Sequence, residues 1–437
     1  MTPVAVSKFD EVMDRLAIQD VESATIRQIA AIANSLEKEC GEAFVHLELG
    51  NPGLPPSAVG IAAEVAAIEA GVPGQYPPIQ GIPAFKENAS KFIKAFMDVD
   101  IPSRCIVPTV GSMQGCFTTL LLAGQRLPGK DSVLFLAPGF AAQVHQAKVL
   151  GLRTQLLDIY EHRGKALEAV LEKYLSSGRF TAMVYNTPNN PAWTNFTHEE
   201  LEIIGRMATA HDVIVIEDHA YMGMDFRNRY GVPYQAPFIP SVAKYTDNYI
   251  LMLSGSKIFS YAGQRIAMVA MGEKVFDRQY DFFREFYNMP SWGDAYIFGV
   301  LYCASSGTSH SAQHAMAAMM GAAVDGKLDF VADCAPYGQR AAKAKKVFTD
   351  NGFHITYSHD GESEISDGFF FTAGYGDMTS SEVGSELMRY GVAALPLTST
   401  GSGQNGVRVC VSLLRDDATF SRLRHNLEAF HRDHPLT

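Results

Sequence analysis

The sequence has no run of apolar residues long enough to cross a bilayer, a task that takes about 20 consecutive residues. It is poor in cysteine, with Cys40, Cys105, Cys116, Cys303, Cys334 and Cys410 widely spread and no CxxC pair. That spacing argues against a disulfide framework and against a zinc site. Scattered cysteines in a large chain fit a reducing compartment. Positive charge is not in excess either: 36 Lys and Arg stand against 47 Asp and Glu, a formal net charge of −11. Nucleic-acid binding wants a basic stripe. Residues Met1 to Asp20 mix Lys8, Asp10, Glu11, Asp14 and Arg15 with apolar residues and lack the apolar core of a secretory signal. No internal repeat or low-complexity segment interrupts the chain. A cytoplasmic globular protein is expected, with no membrane or nucleic-acid partner and room for a locally basic pocket that holds an anion.

The length of 437 residues suits one large domain plus a smaller one. Residues from about Ser7 to Glu39 carry Val21, Ile26, Ile29, Ile32 and Leu36 near a 3.6-residue period and are expected as helix. A short apolar run, Val45 to Leu49, ends in the turn cluster Gly50-Asn51-Pro52-Gly53. From Ile106 to Met271 short apolar strands alternate with helical segments; the strands include Val133 to Leu136, Ala182 to Tyr185, Val213 to Ile216, Ile250 to Leu253 and Ile266 to Ala270. Almost wholly apolar strands separated by helices predict a parallel or mixed sheet covered on both faces. In such sheets ligands bind beyond the carboxyl ends of the strands. Polar clusters fall there: Gly111-Ser112, Phe140, Asn190, Asp218 and Ser254 to Lys257 each follow a strand. After about Ser309 an Ala- and Met-rich helical stretch introduces a different mixture of helices and strands. The expected division is an N-terminal segment 1–48 packing with the small domain, a large domain 49–310 and a small C-terminal domain 311–437.

The densest chemistry lies at Ser254-Gly255-Ser256-Lys257, with Gly263 and Arg265 just beyond. A lysine amine forms Schiff bases, while hydroxyls and an arginine fork suit a phosphate, the two requirements of pyridoxal phosphate. A lysine taken alone is more usually one that snorkels at the surface; Ser254, Ser256 and Arg265 favour the chemical reading. Asp218, after Val213 to Ile216, is costly to bury without a cationic partner. A pyridinium N–H would serve; a helix N-cap is the other reading. Tyr221 could donate to a phenolic oxygen or be a packed aromatic. Asn190-Pro191 could hold that oxygen through a fixed, cis-proline loop, or be a plain turn. Ser112 opens a helix whose N-terminus suits phosphate, or simply caps it. Phe140 could stack on a flat ring or belong to the core. Arg408, inside Val407 to Val411, needs an anion: a substrate carboxylate or a buried ion-pair partner.

Taken in order, Tyr76-Pro77-Pro78-Ile79-Gln80-Gly81, Gly111-Ser112, Asn190-Pro191, Asp218-His219-Ala220-Tyr221, Ser254-Gly255-Ser256-Lys257 with Gly263 and Arg265, and Arg408 resemble the class I aminotransferases. These are the aspartate-aminotransferase-like branch of the fold-type I pyridoxal phosphate enzymes. Each motif is weak alone; their order and separations make the set specific, and it covers nearly the whole chain. The resemblance implies an α/β fold: a large domain with a mainly parallel seven-stranded sheet flanked by helices, and a smaller α+β domain from both termini. It implies pyridoxal 5'-phosphate as cofactor, joined to Lys257 as a Schiff base, with Lys257 also carrying the proton. Asp218 would pair with the pyridine nitrogen, and Asn190 and Tyr221 with the phenolic oxygen. Ser112, Met113 through its backbone N–H, Ser254, Ser256 and Arg265 would hold the phosphate, and Phe140 would stack on the ring. Arg408 would take the substrate α-carboxylate, with the Gly50 backbone and Asn190 nearby. Tyr76 would reach the phosphate of a neighbouring subunit, which implies a homodimer.

The implied reaction moves an amino group from an L-amino acid to a 2-oxo acid. A lyase or decarboxylase on the same scaffold is the alternative. A ligand-sensing regulator domain is a further one, against which the short segment before Val45 and the acidic balance speak. Two features depart from the family pattern. Its loop Asn-Pro-x-Asn-Pro-Thr-Gly is here Asn186-Thr187-Pro188-Asn189-Asn190-Pro191-Ala192-Trp193, with Trp193 where glycine is usual. The segment Tyr230 to Tyr245, rich in proline and aromatics, has the character of an insertion. Phe140, Trp193 and that segment point towards an apolar or aromatic donor.

Overall fold

A computed structural model describes residues 3–436. Its centre is a seven-stranded sheet of β1 (Ile106–Val110), β2 (Ser132–Ala137), β3 (Arg153–Asp158), β4 (Phe180–Asn186), β5 (Ile214–His219), β6 (Tyr249–Ser254) and β7 (Ile266–Met271). The strands lie in the order β1-β7-β6-β5-β4-β2-β3. β7 runs antiparallel to both β1 and β6, and the other pairs are parallel. The parallel or mixed sheet expected from the apolar strands is thus present, in the mainly parallel seven-stranded form that the resemblance implies. Helices on both faces bury β2, β4, β5, β6 and β7 along their full lengths. The edge strand β3, with Arg153 and Gln155, is largely open. β5 continues three residues past the expected end at Ile216, so Glu217, Asp218 and His219 are strand residues and buried. Glu217 is sustained there by donors from Tyr185 Oη (2.9 Å) and the Val242 N–H (3.2 Å), and by the Ser241 hydroxyl.

The N-terminal segment differs from expectation. Two helices, Val6–Arg15 and Ile26–Cys40, replace the single one read over Ser7 to Glu39. Thr25 begins the second: its hydroxyl accepts from the Gln28 N–H and Gln28 Oε1 accepts from the Thr25 N–H. This reciprocal cap fixes a helix start inside the apolar period. Helices within residues 273–305, with a wide π turn over Ala295–Leu301, and the terminal helix Asp417–Asp433 carry no assignment in the sequence reading.

A four-stranded antiparallel sheet forms the second core, in the order Leu395–Pro396, Val407–Cys410, Phe370–Tyr375, Phe353–Ile355. Val45–His46 pairs in parallel with Val392–Ala393, and Phe9, Val12, Ile29 and Leu36 share a core with Met388 and Leu395. Helix His310–Val324 buries Ala312, Met316 and Met319 in the core of the large sheet. The helix Phe330–Thr349 spans both cores: Phe330, Cys334 and Tyr337 lie in the large one, Ala341, Val347 and Phe348 in the small one. On this packing we propose that the large domain ends within that helix rather than at residue 310.

Candidate active site

β6 ends at Ser254, whose hydroxyl accepts from the Ser256 N–H (3.1 Å) and caps the short helix Gly255–Ile258. That turn delivers Lys257. Its Nζ donates to the Gly50 carbonyl and lies 5.3 Å from the Phe369 ring centre. Burial, assisted by the charges of Arg408 and Arg265, pushes the Lys257 pKa down to about 8. It is not a snorkelling lysine.

Asp218 is buried at the end of β5. Its Oδ2 accepts from Gln143 Nε2 (2.8 Å) and Asn186 Nδ2 (3.0 Å), and its Oδ1 from the Ala220 N–H (3.0 Å). All three donors are neutral. Burial pushes its pKa up to about 6, which marks a carboxylate short of a cationic partner. It lies within the strand and caps no helix. The sequence reading missed Gln143 and Asn186. Neither had a signal in the sequence: Asn186 meets Asp218 only through the register of β4 on β5, and Gln143 comes from the helix Ala141–Val149.

Arg408 is buried. Its Nη1 donates to Asn190 Oδ1 (3.2 Å) and its Nη2 to the Glu48 carbonyl, while Nε is buried without a partner. Its guanidinium lies 4.7 Å from the Phe370 ring centre. Both partners are neutral acceptors, so a structural ion pair does not account for this arginine. Tyr221 packs edge-on to Trp193 (5.6 Å) and Phe370 (5.2 Å), and burial raises its pKa.

Gly111 opens the helix Gly111–Gln125 with φ +68°. A Cβ there would lie 2.4 Å from Arg265 Nη2, so the missing side chain lets the guanidinium approach the helix start. Ser112 makes no capping bond, and its hydroxyl oxygen is buried without a partner. The Met113 carbonyl accepts from Gln146 Nε2 (2.8 Å), and its N–H belongs to the first turn, which has no acceptor within the helix. Phe140 precedes the helix Ala141–Val149, and its N–H donates to Asn186 Oδ1 (3.3 Å). Tyr76 stands apart, 93% exposed.

These residues fit pyridoxal phosphate. The orphaned Ser112 hydroxyl lies in a helix start that Arg265 also approaches, which suits a phosphate. The Asp218 carboxylate with neutral donors suits a ring cation, and the depressed Lys257 amine suits an aldehyde.

The departures have a structural basis. Trp193 is fully buried with φ +66°, a left-handed conformation that explains a preference for glycine there. The Asn190-Pro191 bond is cis, the isomer raised above as one reading of that proline. The Trp193 ring packs onto Gly368, where a Cβ would lie 2.0 Å from ring atom Cε2. A Gly368→Ala variant should therefore lose about 1–3 kcal/mol of stability to overpacking; a urea midpoint equal to wild type would refute this fit. In the Tyr230–Tyr245 segment the Tyr234 and Ile239 N–H groups are bonded to the Ala95 and Phe96 carbonyls (2.7 and 2.9 Å), and Tyr230 and Ile239 line a cleft with Thr187 and Asn195.

The mainly parallel seven-stranded sheet flanked by helices, with Lys257 and the buried Asp218 at its carboxyl ends, has the fold-type I architecture of pyridoxal phosphate enzymes. The chain belongs to the Aminotransferase class I and II family, whose profile matches residues 44–419. It is 25% identical over 264 residues to a probable kynurenine–oxoglutarate transaminase of Saccharomyces cerevisiae, covering 57% of this chain and 57% of that one. It is 23% identical over 257 residues to a probable aspartate aminotransferase of Methanocaldococcus jannaschii, covering 59% and 63%. The matches thus span less than two thirds of either relative. The fold is similar to that of an aspartate aminotransferase from Thermotoga maritima, with TM-score 0.75, 18% identity and 94% and 97% of the two chains covered. It is also similar to the aspartate aminotransferase of Thermus thermophilus with maleate, with TM-score 0.71, 19% identity and 96% and 98% covered.

Proposed function

We propose that this protein is a pyridoxal phosphate-dependent aminotransferase that moves the amino group of an L-amino acid to a 2-oxo acid. The observation that carries this reading is the pairing of a depressed Lys257 amine with a buried Asp218 whose donors are all neutral. The printed names of the relatives, transaminases of kynurenine and aspartate, support it.

Lys257 Nζ would be the point of covalent attachment. Ser112, the Met113 N–H, Ser254, Ser256 and Arg265 would hold the phosphate. Phe140 would lie on the ring, Asp218 would face the ring nitrogen, and Asn190 and Tyr221 the phenolic oxygen. Bound there, pyridoxal phosphate supplies an aldehyde for the substrate amine and a ring that takes up electrons released at Cα. Arg408 would orient the substrate by its α-carboxylate, through a planar fork whose Nε has no protein partner. Gly50 and Asn190 would line that end. Lys257 Nζ, neutral above about pH 8, would take the Cα proton. Asp218 would remain anionic opposite a ring cation and so favour electron uptake.

A homodimer belongs to the same proposal. Tyr76 is 93% exposed, and Ile61, Val65 and Ile68 on the helix Ala58–Glu69 are exposed at 44%, 47% and 51%. A second copy would cover them, and Tyr76 would then reach its phosphate cradle. No helix among the described residues is long and apolar enough to cross a membrane. The six free cysteines support a reducing, cytoplasmic setting.

The test is a half-reaction. Protein loaded with pyridoxal phosphate and mixed with one amino acid, without acceptor, should release one equivalent of the matching 2-oxo acid and stop. Adding a second 2-oxo acid should restart it. Release of ammonia, carbon dioxide or a thiol in place of the 2-oxo acid would identify a lyase or decarboxylase.

A further inference from the structure

The loop that carries Asn190 and Trp193 is held from behind by charges that no step above uses. A cleft lies there, lined by Thr187, Asn195, Asp225, Arg227 and Asp360 among others. Asp360 comes from the hairpin of His359–Asp360 and Ser363–Glu364, distant in sequence from the loop. Its Oδ1 accepts from Arg163 Nη1 (3.1 Å) and from the Asn195 N–H (3.1 Å). Its Oδ2 accepts from Arg227 Nη2 (2.7 Å). The Asp360 side chain is 6% exposed.

Each arginine has a second anchor on the large domain. Arg163 forks onto Glu200 (2.6 and 2.9 Å), a carboxylate that also accepts from the Thr197 N–H and caps the helix His198–Ala210. Arg227 forks onto Asp225 (2.8 and 2.7 Å). Three carboxylates and two guanidinium groups thus form one continuous chain. At its middle lies Asn195, with every polar group engaged. Its N–H donates to Asp360, its carbonyl accepts from Arg163 Nη2 (2.7 Å), its Nδ2 donates to Asp225 Oδ2 (3.4 Å) and its Oδ1 accepts from Thr187 (3.4 Å).

Asn195 is two residues from Trp193 and five from Asn190, whose Oδ1 accepts from Arg408. We propose that Asp360 is a positioning residue for the amino-acid site: it clamps the small-domain hairpin to Asn195 and so sets the loop that orients Arg408. This rests on the aminotransferase reading for its consequence, and on the hydrogen-bond geometry for the clamp itself. Without Asp360 each arginine keeps its other carboxylate, Glu200 or Asp225, but loses its tie to the hairpin, and the Asn195 N–H loses its acceptor, which frees the loop to move. The effect falls on Asn190 and, through it, on Arg408, because Lys257, Asp218 and the Gly111 cradle sit on other strand ends.

Two readouts on Asp360→Ala test this. Amide hydrogen exchange in residues 187–197 should speed up by about tenfold or more, while exchange in β5 and β6 stays at the wild-type rate. With the loaded enzyme, KM for the amino donor should rise about tenfold to a hundredfold with kcat within about twofold, the pattern of lost orientation in binding. Asp360→Asn keeps the shape and should give a smaller rise in both; it carries the test if the alanine variant does not fold. Unchanged loop exchange overturns the clamp. Faster loop exchange with unchanged KM overturns the positioning role, and faster exchange throughout the large sheet reduces Asp360 to a general stabiliser. Failure of the wild type to release any 2-oxo acid would instead remove the aminotransferase reading, with loop exchange still deciding the clamp.

Discussion

A Lys257→Ala variant is expected to fold, to form no covalent link to pyridoxal phosphate and to lose at least about 10²–10⁴-fold in turnover, the range for removal of a positioned general base. Loss of covalent attachment adds to that. Absorbance of the borohydride-reduced protein checks the first part: wild type should retain the cofactor after denaturation and the variant should not. Retention by the variant would refute Lys257 as the attachment point. The pH dependence follows from the same amine. Only a neutral amine attacks an aldehyde, so attachment to cofactor-free wild type should speed up as pH rises to about 8 and then level. A midpoint near the ordinary lysine value of about 10.4 would refute the burial argument. The same depression has a stability signature. Between about 8 and the unfolded value of 10.5 the unfolded chain binds the extra proton. Stability of the cofactor-free wild type should therefore gain a favourable increment as pH rises through that window, and Lys257→Ala should lack it.

Replacing Arg408 by methionine should leave cofactor binding intact and cripple the amino-acid step. Hydrogen bonds to charged groups contribute about 1.5–3 kcal/mol each. Two lost bonds to a substrate carboxylate therefore correspond to a fall in kcat/KM of about 10²–10⁴. Arg408→Lys should recover little, because a point charge cannot reproduce the planar fork that now reaches Asn190 and the Glu48 carbonyl. Unchanged cofactor absorbance with a KM equal to wild type would show that Arg408 serves only the packing around Phe370.

Much of this fold is legible in the chain. β6 up to Leu253 and the first half of β5 are apolar because both faces are covered, and a strand of that kind needs no partner sequence to be recognised. The end of β5 shows where such reading stops. Glu217 and His219 interrupt the apolar pattern, yet the strand continues, since the Glu217 carboxylate finds donors from Tyr185, Ser241 and Val242. The second N-terminal helix begins at Thr25 within an unbroken apolar period, because a reciprocal cap outweighs the period. For Asp218, its place at a strand end was legible and its donors were not: Gln143 and Asn186 approach from two other segments.

By itself the sequence determined the alternation of apolar strands and helices, the polar clusters at the strand ends and the family motifs, because these depend on residue type and short-range order. Only the tertiary structure decided that the Lys257 amine is depressed, that Asp218 lacks a charged partner, that Trp193 packs onto Gly368 and that Asp360 grips the loop behind Asn190. Desolvation and ion pairing are set by neighbours that meet from distant parts of the chain, and no local pattern of residues encodes who those neighbours are.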